Sequence, residues 1–377
     1  MLHSPGFVFT LLSFLLVIGP LVFVHELGHY LVGRWCGVKA DVFSIGFGRE
    51  LFGWTDRRGT RWKVGWLPIG GYVKFAGDMN PASQPSKEWL SLPSEQRART
   101  FQAKALWQRF LIVAAGPVTN FLFAVVLFIG IFAVIGYPTT PAIVTGVEQG
   151  SPADRAGIQP GDRIVAIGGK NIHNFAELVE YVVLRPGEAT ELDLERRGAR
   201  LRFSVTLAER ELSDPFHNRA RGGVLGVSST LIAFERLPLS RLPGQAVAQT
   251  RDTLEGIVVA LGQLVEGRRS VKELGGPLKM AQISGQQASL GWLPLFWLMA
   301  VISVNLGFIN LLPIPMLDGG HLLFYLVEAI RRKPLKPEAQ EWAFRAGLAA
   351  LLMLMVFVTF NDLASFGLWK QLGGLID

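Results

Sequence analysis

The sequence predicts an α-helical polytopic membrane protein with four transmembrane helices, a β-hairpin after the first and a mixed α/β domain inserted after the second. Three observations carry this reading. Half of the 377 residues are apolar and only 18% are charged, against roughly 25% charged in an ordinary soluble domain. Apolar runs of about the length needed to span a bilayer recur four times. Between them lie two segments in which strand-forming residues are punctuated by glycine turns. The same composition excludes disorder and collagen-like repeats. A single cysteine, Cys36, excludes an intramolecular disulfide and a Cys-only metal site.

The first span is Phe7 to Val24, within a stretch from Met1 to Val24 that has no Asp, Glu, Lys or Arg. A secretory signal peptide would need a basic region before it and a small-x-small cleavage site after it, and both are missing. Further spans are expected from Phe110 to Ile135, from Leu293 through Leu312 with an apolar continuation to Ile330, and from Gly347 to Phe360, reaching toward Trp369. The boundaries this implies are a first span over 1–33, a loop with the hairpin over 34–106 and a second span over 107–137. They continue with the inserted domain over 138–230, an amphipathic helical segment over 231–290, a third span over 291–331, a short loop over 332–342 and the fourth span over 343–377.

Loop charge orients the spans. Arg34 to Lys104 has 12 Lys/Arg against 6 Asp/Glu, and Arg331 to Glu341 has 4 against 2, whereas Pro138 to Leu290 has 18 against 17. Basic loops stay in the cytoplasm, so both termini and the inserted domain are expected outside, in the periplasm of a Gram-negative cell. Topology thereby accounts for the net charge of +7 without a nucleic-acid partner.

The first span ends in His25-Glu26-Leu27-Gly28-His29. On a helix, positions i and i+4 share a face, so both imidazoles can reach one metal ion while Glu26 reaches the attacking water as general base. Three ionisable groups at the end of an apolar span are costly unless paired or coordinated; a helix-end cluster snorkelling to the interface is the other reading. A catalytic zinc takes three protein ligands. The third is expected to be Asp318, a lone carboxylate in NLGFINLLPIPMLDGGH, with His321 as the rival. Pro313 and Pro315 interrupt that run, and broken helix in a membrane is tolerated only inside protein or beside a polar cavity. Asn310 could donate to a substrate backbone or to the oxyanion of a tetrahedral intermediate.

In the first loop, Val64 and Trp66, then Tyr72, Val73 and Phe75, are strand formers around Gly70-Gly71, so a short hairpin turning at the glycines is expected. Pro81 to Glu95 reads as a linker and Arg97 to Arg109 as a basic helix at the headgroups. The outer segment has a short helix at Pro152 to Ala156, a Pro160-Gly161-Asp162 turn, a strand at Arg163 to Ile167, a helix at Phe175 to Val183 and strands near Leu192 and Phe203, with GGVLGV (Gly222 to Val227) adding another. SPADRAGIQPGDRIVAI resembles the PDZ fold, whose groove takes an extended peptide or C-terminus by strand addition; a steric filter is the alternative. Val247, Leu254, Ile257, Val258, Leu261 and Leu264 mark an amphipathic helix that either lies on the membrane or packs on the inserted domain. Asn361-Asp362 in the fourth span reads as a polar contact within the bundle.

HELGH on the first span, GPVTN (Gly116 to Asn120) on the second, the PDZ-like segment and NLLPIPMLDGG (Asn310 to Gly320) together resemble the site-2 proteases, in particular the bacterial RseP-type intramembrane zinc metalloproteases, over essentially the whole chain. The resemblance implies one Zn2+ held by His25, His29 and Asp318, with Glu26 as general base and Asn310 and Pro313 at the substrate. It implies a membrane-associated hairpin in which Gly70, Gly71, Tyr72 and Val73 hold the substrate extended. The implied activity is cleavage, from the cytoplasmic side of the bacterial inner membrane, of single-span proteins already cut outside by a site-1 protease. Anti-sigma factors and remnant signal peptides are the substrates it suggests. Many relatives carry two tandem PDZ modules; one is found here. A membrane PDZ scaffold with a structural or vestigial metal site is the alternative from another class, and a fourth protein ligand such as His321 would favour it.

Overall fold

The computed structural model describes residues 6–77, 93–213, 219–267 and 275–365. Its contacts divide the chain into a helical unit, Met1–Ile131 with Pro243–Asp377, and a second unit, Phe132–Leu242. The elements in chain order are α1 (Phe7–Trp35), β1 (Ala40–Thr55), β2 (Arg61–Phe75), α2 (Ser94–Ala98), α3 (Leu106–Ile135), β3 (Tyr137–Thr139), β4 (Gly146–Val147), α4 (Pro152–Arg155), β5 (Arg163–Ile167), β6 (Lys170–Asn171) and α5 (Phe175–Val183). They continue with β7 (Ala189–Arg196), β8 (Ala199–Thr206), β9 (Ala208–Ser213), β10 (Arg219–Val224), β11 (Val227–Ser228), β12 (Ala233–Glu235), α6 (Leu242–Val265), α7 (Pro277–Ser289), α8 (Trp292–Leu311), α9 (Asp318–Arg331) and α10 (Pro337–Ser365). The linker read at Pro81–Glu95 lies, up to residue 92, outside the described residues, as does any reach of the last span past 365.

α1, α3, α8 and α10 are each long and apolar enough to cross a membrane, and a helix meets the demand of lipid that every backbone group be satisfied internally. α1 buries Ser13, Val17, Leu21 and His25 at four-residue intervals, while Leu12, Leu16 and Leu31 on its other faces stay exposed. A soluble helix has the reverse distribution, with polar residues outside. Val17 and Leu21 pack with Leu295, Met299 and Ile302 of α8. At Gly28 the helix comes close to α3: a Cβ there would stand 2.5 Å from the Ala115 carbonyl oxygen and would meet the Thr119 side chain. Only glycine allows that approach.

The first loop forms a wider sheet than the expected short hairpin, and its turn is elsewhere. Val64 and Trp66 do not pair with Tyr72–Phe75, because Val42–Ile45 of β1 lies between the two: Phe43 has both Trp62 and Val73 as partners, and Ile45 has both Val64 and Gly71. The far end of β1 returns to the outer side of β2, Phe52 to Val64 and Trp54 to Trp62. The strands connect at Asp56–Thr60, where the Asp56 carboxylate accepts the Arg58 and Thr60 N–H groups. Gly70 is a bend inside β2 with φ of 87°, not a two-residue turn. Local turn chemistry could not reveal this, because the competing partner comes from β1, about thirty residues earlier. Phe43 and Phe75 are buried with Tyr30, Ile112 and Val113, which docks the sheet on α1 and α3. Leu51, Phe52, Trp54 and Trp66 stay exposed.

The third apolar run breaks where its prolines predict. α8 ends at Leu311, Met316 takes a left-handed φ of 85°, and a new helix, α9, begins at Asp318. Both glycines after Asp318 are required by crowding: a Cβ on Gly319 would stand 2.5 Å from the Leu311 carbonyl carbon, and one on Gly320 would stand 2.5 Å from the Ile314 oxygen. The other end of α9 is tied to α3 through Glu328, whose carboxylate lies 3.6 Å from Arg109.

α7 falls within the amphipathic segment expected over 231–290, although its sequence PLKMAQISGQQAS has neither an apolar run nor a side-chain cap of its own. Its cap is distant. Asp362 of α10 accepts the N–H groups of Gly276 at 2.9 Å and Lys279 at 3.0 Å, a carboxylate at a helix N-terminus. The polar pair of the fourth span thereby gains a definite role for its aspartate. α6 forms over the expected region, but Val247, Val258 and Leu261 of its apolar face remain exposed and Leu242, Ala246 and Thr250 are the buried positions.

In the second unit the helix Phe175–Val183 and the strand Arg163–Ile167 form over the expected residues. The strand order β6-β5-β7-β8 gives an antiparallel sheet. Ile164, Ile167, Leu192 and Leu194 from this sheet, Leu178 from α5 and Leu207 make the core. Caps hold the short helices: Ser151 accepts the Asp154 N–H and Asn174 accepts the Glu177 N–H. Asp162, 1% exposed, receives two bonds from Arg196, each of 2.7 Å, and one from the Gln159 N–H. GGVLGV supplies the end of β10 and the start of β11.

Candidate metal centre

Three ligand atoms converge inside the helical unit. His25 Nε2 lies 3.2 Å from His29 Nε2 and 3.2 Å from Asp318 Oδ2, and His29 Nε2 lies 3.5 Å from the same oxygen. Ligand atoms on a tetrahedral zinc with bonds of roughly 2.0–2.1 Å stand roughly 3.3 Å apart. Helical geometry accounts for the first pair, as one turn of α1 separates the imidazoles. Asp318 arrives from the first turn of α9, so its position depends on the break that ends α8.

Asp318 Oδ2 is buried and accepts no hydrogen bond, though it faces two imidazoles. A buried carboxylate oxygen without a donor is costly unless something positive occupies the space it faces. Two imidazoles and one carboxylate are a donor set that zinc takes, with a fourth position left for water or substrate. The residues present therefore fit the metal. His29 Nδ1 is 2.8 Å from the Ile112 carbonyl; a carbonyl only accepts, so that nitrogen carries the proton and Nε2 is free to bind a cation.

The site occupies a cavity of about 390 Å³ lined by Glu26, Gly70, Gly71, Tyr72, Val73 and Asn310 among others. Glu26 is buried beside the histidines, the Val73 N–H points to its carboxylate, and a Cβ on Gly71 would stand 3.1 Å from its Cγ. β2 thus runs past Glu26, and Gly71–Phe75 has a strand partner on one side only among the described residues. Pro313 is not brought to the cavity: it is exposed in the turn after α8, where its ring ends the helix. His321 lines the cavity but packs 4.9 Å from the Phe344 ring, and the convergent group is completed by Asp318.

GPVTN had no role derived from its residues, and the structure shows what it does. A Cβ on Gly116 would meet the His29 ring, at 2.5 Å from Cε1, and the His25 ring at 2.9 Å. The glycine makes room for both imidazoles. Thr119 donates to the Val24 carbonyl across the helix pair. The signal was a glycine in the second span, which acquires meaning only when α3 is placed against α1.

A second concavity lies in the other unit, about 470 Å³ between α5, with Phe175, Leu178 and Val182 on it, and the Gly223–Ser228 stretch.

Comparison with known proteins agrees with the geometry. The family model described as Peptidase family M50 matches residues 13–354. A protein of Agrobacterium fabrum, named as a zinc metalloprotease, is 45% identical over 360 residues, covering 94% of this chain and 96% of its own. Metalloprotease MmpA of Caulobacter vibrioides is 38% identical over 394 residues, covering 98% and 99%. Among solved structures, the PDZ domain of an SdrC-like protein from Listeria monocytogenes covers 23% of this chain and 85% of its own, at 17% identity and a TM-score of 0.19. The chain belongs to peptidase family M50 and is a multi-pass membrane zinc metalloprotease of the site-2 type.

Proposed function

We propose that the chain is an intramembrane endopeptidase that cuts transmembrane segments of single-span proteins, with His25, His29 and Asp318 holding one zinc ion and Glu26 moving the proton. The observation that carries this reading is the placement of three ligand atoms within 3.5 Å of one another, two of them on a helix able to cross a membrane and beside a buried glutamate. Zinc, when bound, supplies Lewis acidity that polarises a carbonyl and makes water a nucleophile near neutral pH. Glu26 takes the water proton and returns it to the leaving amine. Asn310, on the wall of the cavity, donates to the substrate backbone or to the oxygen that becomes negative.

A transmembrane helix hides its peptide bonds, so the substrate must be drawn out before it is cut. The side of Gly70–Val73 that faces the cavity offers backbone groups to an extended chain by strand addition. The exposed Leu51, Phe52, Trp54 and Trp66 of the same sheet suit a membrane-associated position. Basic first and third loops support an inner-membrane orientation with both termini and the PDZ-like unit in the periplasm and the site toward the cytoplasm. The groove beside α5 would take an extended peptide or C-terminus with apolar side chains, or screen out bulky proteins. Single-span substrates first shortened by a site-1 protease, such as anti-sigma factors, and remnant signal peptides are the substrates that the family resemblance suggests.

The test is cleavage of a single-span reporter lacking its outer domain by the purified chain in detergent with zinc. The native chain cuts within the apolar segment, a chelator stops it, and Glu26→Gln keeps its zinc while losing roughly two to four orders of magnitude in rate. Full activity of Glu26→Gln would remove the mechanism.

A further inference from the structure

Asn120, the last residue of GPVTN, stands beside the proposed zinc site, and the role argued for it rests on that site. Asn120 is fully buried on α3, and its side-chain nitrogen Nδ2 lies 3.1 Å from His25 Nδ1. Its carbonyl oxygen Oδ1 is buried with no hydrogen bond. For His25 Nε2 to offer a lone pair to the cation, the proton of the neutral ring must sit on Nδ1. Nδ1–H then needs an acceptor, and an NH2 group is not one. With Nδ2 in that place two donors meet while the amide's acceptor is left without a partner, and both faults have the same remedy. A half-turn of the amide exchanges Nδ2 and Oδ1 with almost no change in shape.

We infer that Asn120 is the positioning residue for His25: its Oδ1 accepts the Nδ1–H bond and thereby holds the imidazole in the tautomer and orientation that present Nε2 to the metal. His25 and His29 are then held alike, His29 by the Ile112 carbonyl and His25 by an amide carbonyl, both from α3. The backbone of Asn120 is fixed in turn, since its own carbonyl accepts Ser303 Oγ of α8 at 2.7 Å. α1, α3 and α8 therefore meet at this one residue.

The opposite role has Nδ2–H donating to a lone pair on Nδ1, with Nε2–H turned toward Asp318 and Oδ1 left without a partner. The two roles separate by substitution, because an aspartate accepts but cannot donate. Zinc affinity of the full chain in detergent is measured by competition with a chromophoric chelator for the native protein, Asn120→Asp, Asn120→Leu, Ser303→Ala and His25→Ala. The acceptor role predicts that Asn120→Asp binds zinc at least as tightly as the native chain. Asn120→Leu weakens binding roughly 10- to 100-fold, and Ser303→Ala, which removes only the bond that fixes the Asn120 backbone, weakens it less.

Loss of more than about tenfold in Asn120→Asp overturns the inference, and that variant decides alone if the leucine variant does not fold. Native-like affinity in Asn120→Leu overturns it too. If His25→Ala binds zinc like the native chain, the zinc site itself is wrong and the inference falls with it. Loss in His25→Ala combined with loss in Asn120→Asp rejects only the role given to Asn120.

Discussion

Asp162 in the PDZ-like unit and Asp318 in the helical unit both turn carboxylate oxygens away from solvent, and their partners differ. Asp162 is satisfied by protein: Arg196 binds both oxygens at 2.7 Å and the Gln159 N–H adds a third bond at 2.8 Å. Asp318 instead leaves Oδ2 buried without a hydrogen bond in front of two imidazole nitrogens. A carboxylate that serves folding is closed off by fixed donors, whereas one that serves a cation is held open at some cost in stability. The open one lies at the first turn of α9, where the helix dipole favours a negative charge before any metal arrives. It is also reached through a break that stores strain at Met316.

The comparison breaks first at Asp318. Asp318→Ala is expected to lower zinc affinity by several orders of magnitude and to abolish cleavage, while leaving the thermal unfolding of the chain unchanged or slightly raised. A variant that kept native zinc affinity would mean that Oδ2 faces the imidazoles only as an ion-pair partner. Asp162→Ala is expected to do the reverse, leaving zinc affinity unchanged and destabilising the second unit by about 1–2 kcal/mol, as seen by calorimetry of the full chain. Equal stability in that variant would remove the structural half of the contrast.

The smallest effect is a pH dependence. Burial pushes the Asp162 carboxyl up, but the bonds from Arg196 and the Gln159 N–H outweigh it and hold the group below the usual carboxylate value. A depressed folded pKa stabilises above the unfolded value, about 3.9, and the contribution is lost as pH falls through the folded one. The second unit's melting midpoint should therefore be level from neutrality to about pH 5, with the Asp162 share lost only below about pH 4. Asp162→Asn should lack that share of the acid decline.

The same two regions differ in how far they can be read from sequence. In the PDZ-like unit, the alternation of Arg163–Ile167 and the PDZ-like pattern that runs on into Phe175–Val183 were enough to place both elements, although the strand pairs with Leu192–Glu195 about thirty residues later. In the helical unit the spans and the HELGH helix were legible for the same reason: lipid imposes length and apolarity locally, and helical spacing sets the imidazole pair. What escaped was whatever depends on a distant partner. Gly70-Gly71 looks like a turn until Val42–Ile45 is inserted beside it. Asp362 looks idle until it caps α7, 86 residues earlier. Gly116 and Asn120 carry no local signature, because their functions are to clear and to orient side chains of another helix.

The central claim, that two imidazoles and the Asp318 carboxylate hold zinc with one position left open, is tested most directly by X-ray absorption of the zinc-loaded chain. Two imidazoles, recognised by the scattering of their outer ring atoms, and oxygen ligands around the metal, with Asp318→Asn leaving the imidazole contribution unchanged, are the predicted result. A shell of three imidazoles, with His321 completing a closed site that Asp318→Asn leaves untouched, would contradict it.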